Sequence, residues 1–132
     1  MVVFVCDRNA TLSPMAEAIA RQIAPHIEFQ SAGRTDTHIH PNIHVVLQEQ
    51  GIYSSNLTSK LLWAIDFDDV QYVISLVSAE YAPKIPSRYQ IMYWILPDPA
   101  WDPVEERMNA FRDLRDELTS RIQIFLEKEH LM

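Results

Sequence analysis

The residue with the clearest chemical potential is the only cysteine, which lies near the start of the chain. Cys6 ends the apolar run Val2–Val5 and is followed by a short polar loop, then by Ser13 and Pro14. A serine followed by proline is typical of a helix start. A strand that leads through a loop into a helix places its last residue where backbone N–H groups converge, and such groups bind anions. The spacing therefore predicts an anion-binding loop with the Cys6 thiolate as a nucleophile.

A carboxylate lies beyond a later apolar run. Asp98 follows the strand predicted over Gln90–Leu96. In an open parallel sheet, ligands bind beyond the carboxyl ends of the strands, so Asp98 and Cys6 are expected at the same edge. A carboxylic acid at that edge can protonate a leaving oxygen. Simpler interpretations stay open, because a cysteine that ends a buried strand is often an inert core residue and Asp98-Pro99 also fits an ordinary turn.

The remaining pattern predicts one α/β domain in which strands and helices alternate. The segment 57–69 is ambiguous, with a short helix over 60–65 as one interpretation. Gly51 is placed to end the second helix, and Pro25 to end the first. The predicted strands are Val2–Cys6, Ile27–Ser31, Val70–Leu76 and Gln90–Leu96, and the predicted helices begin at Ser13-Pro14, Pro41 and Asp102-Pro103.

Several motifs occur in an order that resembles one family along nearly the whole chain. They are Cys6-x-x-Asn9, Ser13-Pro14-Met15-Ala16-Glu17, Ser31-Ala32-Gly33, His40-Pro41 through Gln50-Gly51-Ile52, and Asp98-Pro99. Together they resemble the low-molecular-weight protein tyrosine phosphatases and their thioredoxin-coupled arsenate reductase relatives. The resemblance implies a single domain over 1–132, with a three-layer α/β/α fold and a four-stranded parallel sheet in the order 2-1-3-4.

The resemblance also implies roles for individual residues. Cys6 would form a phosphocysteine, and Asp98 would act as acid and then as base. Asn9 would hold the loop in shape, and Ser13 would donate a hydrogen bond to the sulfur. Trp101 lies where the family often has an aromatic wall for the substrate, although a partly buried anchor is the alternative. The phosphate-binding loop, called here the 7–13 loop, consists of Asp7, Arg8, Asn9, Ala10, Thr11, Leu12 and Ser13.

Leu12 departs from the family pattern C-x5-R-S, and Arg8 and Asp7 are two further residues of the loop that count against activity. Leu12 replaces the arginine that grips the phosphoryl group, and an arginine in that role accelerates phosphoryl transfer by roughly 10³–10⁵ in other enzyme classes. Arg8 replaces a glycine and is expected to strain the loop. Arg8 could take over from the missing arginine, but its side chain is expected to point outward. Asp7 adds a negative charge that is expected to raise the pKa of the Cys6 thiol.

The resulting functional hypothesis is a phosphatase-family protein that hydrolyses phosphomonoesters weakly or not at all. A non-catalytic module that binds an anion or a protein in the same cleft is the alternative. Arsenate reduction ranks lower, because a single cysteine cannot form a relay disulfide within the chain. The expected partner is phosphate or another oxyanion, and a phosphoprotein is the macromolecular candidate. Whether the chain is an enzyme, and in which oligomeric state, stays open.

The composition argues against several other classes of partner. The net charge of −7 argues against nucleic acid and anionic membranes. A single cysteine fits a reducing compartment, so a cytoplasmic location is expected. No cofactor is expected. His38, His40 and His44 form a cluster with zinc-like ligand types, but a solvated loop is the preferred interpretation and no metal is expected there.

Overall fold

The computed structural model describes residues 1–132 and contains one four-stranded parallel sheet. Its strands are β1 (Val2–Cys6), β2 (Phe29–Gly33), β3 (Tyr72–Ser75) and β4 (Ile91–Tyr93). Their order is β2-β1-β3-β4, and all three pairings are parallel. This confirms the predicted fold class and strand order. β1 lies between two neighbours and is apolar throughout, as expected for a strand that is buried on both faces.

The two faces of the sheet are covered differently. The α-helices α1 (Leu12–Ile23), α2 (Pro41–Gln48) and α3 (Val104–Lys128) pack in the larger core cluster, which includes Phe4 and Cys6 of β1. Val3 and Val5 belong to the smaller cluster on the other face, where the residues of two short 3-10 turns pack. Side chains alternate between faces along a strand, so Cys6 lies on the face of the helices.

The first helix begins two residues earlier than predicted, and its cap is different. α1 starts at Leu12, with Thr11 in the N-cap position and no side-chain cap. Ser13 was predicted as the cap, but its hydroxyl is used in the interior of the 7–13 loop instead. The helix ends at Ile23, just before Pro25.

The other element bounds differ from the prediction by a few residues. β2 lies two residues later than predicted, because its Gly33 pairs with Cys6 at the end of β1. α2 starts at Pro41 as predicted, and Gly51 follows it with a φ of 68°. α3 starts at Val104, and the apolar residues that recur along it at helical spacing are buried: Phe111, Leu114, Leu118, Ile122 and Phe125. The ambiguous segment contains two 3-10 turns, at Leu62–Ala64 and Phe67–Asp69, and no α-helix. None of the helices combines the length and the apolar character that crossing a membrane requires.

Candidate active site

The structure brings Cys6 and Asp98 to the same cleft at the carboxyl edge of the sheet. This Cys6 cleft has a volume of about 570 Å³. The 7–13 loop forms one wall, and the segment around the 3-10 turn Pro99–Trp101 forms another. The residues that line it are Cys6, Asp7, Arg8, Ala10, Thr11, Leu12, Thr37, His38, His40, Val77, Ser78, Tyr81, Ile95, Leu96, Asp98, Ala100 and Trp101.

The backbone of the 7–13 loop leaves its N–H groups without protein carbonyl partners. None of the amides of residues 7–13 donates a hydrogen bond to a backbone carbonyl. The amides of Ser13 and Asn9 lie near the Cys6 sulfur, where they lower the pKa of the thiol. Asn9 has a φ of 51°, a left-handed conformation that asparagine tolerates better than most residues. The loop therefore offers converging donors for an anion above Cys6.

A buried chain of hydrogen bonds fixes the orientation of Ser13. The side-chain amide nitrogen of Asn9 donates to Ser13 Oγ (2.7 Å) and to Ser31 Oγ (3.0 Å), and Ser31 Oγ donates to Glu17 Oε1 (2.7 Å). Because Ser13 Oγ accepts from Asn9, its own hydrogen is available for Cys6 Sγ, 2.8 Å away. Donation to sulfur stabilises the thiolate. The geometry is consistent with the roles that the resemblance implied for Asn9 and Ser13.

The sequence alone did not assign a role to Glu17, which is the last residue in this chain of hydrogen bonds. Its side chain is only 2% exposed, and Arg21 and the Lys60 ammonium group lie 2.8 and 3.6 Å from its carboxylate oxygens. A buried carboxylate requires such partners. The signal was present in the sequence, since Ser13, Glu17 and Arg21 are spaced four residues apart on one helix face.

The outer side of the loop is held by the segment that precedes the first 3-10 turn. Ser59 Oγ donates to the Arg8 carbonyl (3.1 Å), and the Lys60 amide donates to Asn9 Oδ1 (2.9 Å). Gly33 packs directly against the loop backbone, because a Cβ on it would lie 2.7 Å from the Asn9 nitrogen. These contacts satisfy the Arg8 carbonyl and the side-chain oxygen of Asn9, and none of them uses a backbone N–H group of the loop.

Burial raises the pKa of the Cys6 thiol above its ordinary value. The Ser13 hydroxyl and the amides of Ser13 and Asn9 oppose this effect, and the negative charge of Asp98 adds to it. Asp7 was expected to supply the unfavourable charge. Its carboxylate instead forms a 3.0 Å ion pair with Arg34, which offsets that charge. The acidic residue that opposes the thiolate is therefore Asp98.

The structure also shows the positions of Leu12 and Arg8, the two other residues that depart from the family. Leu12 is 2% exposed and belongs to the main core cluster, so position 12 contributes an apolar wall and no side-chain donor. Arg8 does not have a positive φ, so the expected backbone strain at this position is absent. Its guanidinium does not point away from the cleft as expected. It lies over the Trp101 ring on the opposite wall, 5.9 Å from the ring centroid.

Asp98 and Trp101 occupy the wall that faces the loop. One oxygen of Asp98 accepts a hydrogen bond from the Ala100 amide (2.9 Å) and starts the turn Pro99–Trp101. Trp101 is 78% exposed, which excludes the buried-anchor alternative and leaves an open aromatic surface. Tyr81 and Ile95 are also exposed at the cleft and were not predicted as site residues. Tyr81 ends the 3-10 turn Ala79–Tyr81, and Ile95 lies just beyond β4, within the strand predicted over Gln90–Leu96.

The histidines serve as local hydrogen-bonding groups. His40 Nδ1 accepts from the Asn42 amide and caps α2, and His44 Nδ1 lies 2.7 Å from Ser54 Oγ. No three residues among His, Cys, Asp and Glu are arranged to hold a metal ion. Burial lowers the pKa of His40, as does the nearby Arg107, while Asp98 opposes them. His40 is therefore largely uncharged at neutral pH.

Comparison with known proteins agrees with the motifs and the geometry. The profile of the family described as "Low molecular weight phosphotyrosine protein phosphatase" matches residues 1–131. The chain belongs to this family. The match covers all three helices and all four strands, and therefore includes both walls of the Cys6 cleft.

Several proteins of similar sequence are named arsenate reductases. An arsenate reductase of Shouchella clausii is 30% identical over 132 residues, which cover 96% of this chain and 95% of that protein. A glutaredoxin arsenate reductase of Synechocystis is 31% identical over 130 residues, 96% of both chains. The solved structure "An arsenate reductase in the phosphate binding state" superposes with a TM-score of 0.82 at 30% identity, over 96% of both chains.

Proposed function

We propose that the Cys6 cleft binds a tetrahedral oxyanion and hydrolyses phosphomonoesters slowly through a cysteinyl-phosphate. The observation that carries this proposal is the juxtaposition of the Cys6 thiol, 2.8 Å from Ser13 Oγ, with loop amides that have no carbonyl partners. A solved relative is described as an arsenate reductase in the phosphate-binding state. The cleft is open to solvent on the side of Trp101, where a leaving group would lie.

The residues of the cleft provide each group that the reaction needs, except one. The Cys6 thiolate attacks phosphorus, the S–P bond forms, and the bond to the leaving oxygen breaks as Asp98 donates its proton to that oxygen. Asp98 then takes a proton from water, which attacks phosphorus and releases Cys6 and phosphate. The loop amides stabilise the charge on the phosphoryl oxygens. The missing group is the guanidinium at position 12.

Two features of the site make the proposed reaction slow. Leu12 offers no hydrogen bond, so the bidentate grip on two phosphoryl oxygens is absent from that position. Burial and Asp98 raise the pKa of the Cys6 thiol, so only a small fraction is thiolate at neutral pH. The missing guanidinium and the small fraction of thiolate both slow the turnover. Binding of an anion by the loop amides requires neither a guanidinium at position 12 nor an ionised Cys6.

The test is hydrolysis of p-nitrophenyl phosphate by the purified chain, with Cys6→Ser as the matched control. We expect slow turnover that Cys6→Ser abolishes and a phosphocysteine that can be trapped by rapid acid quench and detected by mass spectrometry. Turnover that Cys6→Ser leaves unchanged contradicts the proposal. Phosphate binding without any turnover instead supports the non-catalytic binding module on the same fold.

The relatives favour a second candidate, arsenate reduction with an external thiol. In this reaction Cys6 condenses with arsenate and releases water. The sulfur of an external thiol then attacks Cys6, which forms a mixed disulfide while arsenic(V) leaves as arsenic(III). A second external thiol releases Cys6. The name of the Synechocystis relative includes glutaredoxin, a thiol protein, and the lack of a second cysteine here makes an external thiol necessary.

An arsenate reduction assay, set beside the hydrolysis of p-nitrophenyl phosphate, separates the two activities. The wild type and Cys6→Ser are incubated with arsenate and glutathione, with or without glutaredoxin, and the arsenite formed is measured. Arsenite formation that requires Cys6, in a chain that does not hydrolyse p-nitrophenyl phosphate, favours the reductase. A reducing cytoplasm, which we propose as the location, would keep Cys6 reduced for either reaction.

A further inference from the structure

We propose that Arg8 binds the oxyanion in the Cys6 cleft and supplies, from the second position of the 7–13 loop, the positive charge that Leu12 lacks. This inference deepens the proposed function and rests on it, because it needs an anion above Cys6. It assigns Arg8 a binding role that the family pattern does not contain, since that pattern has glycine at this position.

The first observation is the position of the Arg8 side chain. It lines the cleft together with Cys6 and Asp98, and its guanidinium lies 5.9 Å from the centre of the Trp101 ring. A guanidinium at this distance is attracted to the face of the ring. Because Arg8 and Trp101 lie on opposite walls, this contact places the positive charge at the opening of the cleft.

The second observation is that Arg8 has no carboxylate partner. No Asp or Glu oxygen lies within 4.0 Å of its guanidinium, although Asp7 is its neighbour in sequence and Asp98 lines the same cleft. Asp7 is paired with Arg34 instead. An exposed arginine without an acidic partner keeps its donors free for a ligand, and a guanidinium matches the geometry of a phosphate bidentately.

The third observation is that other basic groups near the cleft are engaged. Arg34 pairs with Asp7 and donates to the Glu80 carbonyl, and Arg107 donates to the Asp102 carbonyl. His40 has a lowered pKa and is largely neutral at neutral pH. Arg8 is the only lysine or arginine that lines the cleft. An anion that enters meets one unpaired cation.

The backbone at Arg8 is compatible with this role. Its carbonyl accepts from Ser59, and its φ is not positive, so the loop carries a long side chain here without strain. The side chain is exposed and can turn from Trp101 toward a bound anion. The loop amides would hold the inner oxygens of a tetrahedral dianion while Arg8 binds the oxygens that face the cleft opening.

The test measures the affinity of inorganic phosphate by isothermal titration calorimetry in the wild type, Arg8→Ala, Arg8→Lys and Arg88→Ala. Arg88 is a matched control, because it also stacks on an aromatic ring, that of Tyr89 at 4.9 Å, and does not line the cleft. We expect Arg8→Ala to weaken binding by about 10-fold or more, as for a lost hydrogen-bonded charge. Arg8→Lys should be intermediate, and Arg88→Ala should stay within about 2-fold.

The outcomes separate this inference from the proposed function. If the wild type binds phosphate and Arg8→Ala binds it equally well, Arg8 is not a ligand and the inference is overturned, while the oxyanion site stands. If the wild type binds no phosphate, the oxyanion site itself is wrong and the inference fails with it. Thermal unfolding without phosphate checks that Arg8→Ala is folded, and Arg8→Lys repeats the measurement with a smaller change.

Discussion

At the scale of single residues, the Cys6 cleft combines a complete hydrogen-bonding environment with a thiol whose pKa is raised. Asn9 and Ser13 orient a donor toward the sulfur, yet burial raises the pKa of the thiol. Asp98 raises it further, because a negative charge near the sulfur disfavours the thiolate. The proposed acid, Asp98, is therefore also a residue that disfavours the Cys6 thiolate.

The pH dependence of Cys6 alkylation follows from these contributions. Iodoacetamide labelling of the wild type should rise only at alkaline pH, since the pKa of the thiol lies above its ordinary value. Asp98→Asn removes a charge that raises the pKa, so labelling should begin at lower pH. Ser13→Ala removes a donor that lowers the pKa, so labelling should begin at higher pH. If the pH at which labelling begins shifts in the same direction in both variants, this account is wrong. Cys6→Ser gives the background labelling of other residues.

The side chain at position 12 is expected to affect the rate of phosphomonoester hydrolysis. Leu12→Arg should increase hydrolysis of p-nitrophenyl phosphate by about 10-fold or more, because a guanidinium in the loop stabilises the charge on the phosphoryl group. Leu12→Gln is the matched control, as it is polar and of similar length but uncharged. Equal rates for the two variants would show that charge at this position is not the limiting feature.

At the scale of elements, the end of β2 supports the 7–13 loop. Gly33 pairs with Cys6, and a Cβ on it would lie 2.6 Å from the Thr35 oxygen and 2.7 Å from the Asn9 nitrogen. Contacts of this length with backbone atoms cannot be relieved by a side-chain rotation. The glycine of Ser31-Ala32-Gly33 is therefore required by close approach of the backbone, whereas Gly51 is required by its positive φ.

The two glycines provide a matched pair of variants. Gly33→Ala should displace the loop, lower the free energy of unfolding by about 1–3 kcal/mol and weaken phosphate binding. Gly51→Ala should cost about 1 kcal/mol through its left-handed backbone and leave phosphate binding unchanged, since no atom lies within 4 Å of the added Cβ. Urea unfolding and calorimetry measure both quantities. Unchanged phosphate binding in Gly33→Ala would show that the loop does not depend on this contact.

At the scale of the whole molecule, one core joins the elements that form the cleft. The larger cluster contains residues of β1, β2, β3 and all three helices, including Cys6, Leu12 and Leu118. Arg115 adds a buried link between α3 and α2, where it donates to the Val46 carbonyl and pairs with Glu49. A shared core of this kind predicts that the chain folds as one domain.

We expect cooperative unfolding in a single transition. Leu118 is fully buried in α3, so Leu118→Ala should lower the free energy of unfolding of the entire chain by about 3 kcal/mol. Far-ultraviolet circular dichroism and tryptophan fluorescence should give the same denaturation midpoint in the wild type and in the variant. Separate midpoints for the two probes would contradict a single domain.

The sequence alone determined the fold and the position of the cleft. β-branched residues and the Ser-Pro, His-Pro and Asp-Pro pairs mark strands and helix starts, because these preferences are local. The ordered motifs resembled one family, from which the strand order was correctly inferred. The boundaries of β2 and α1 were less accurate, since strand register and the use of Ser13 depend on contacts with distant residues.

Only the tertiary structure decided the electrostatics of the cleft. Glu17 and Ser31 join the hydrogen-bond chain that ends at Cys6, although 14 residues separate them. Asp7 is offset by Arg34, 27 residues away, and Arg8 stacks on Trp101 across the cleft. Charge interactions depend on distance in space and on burial, and neither quantity can be calculated from the order of residues. Leu12 could be read directly from the sequence, but the free guanidinium of Arg8 became visible only in the folded chain.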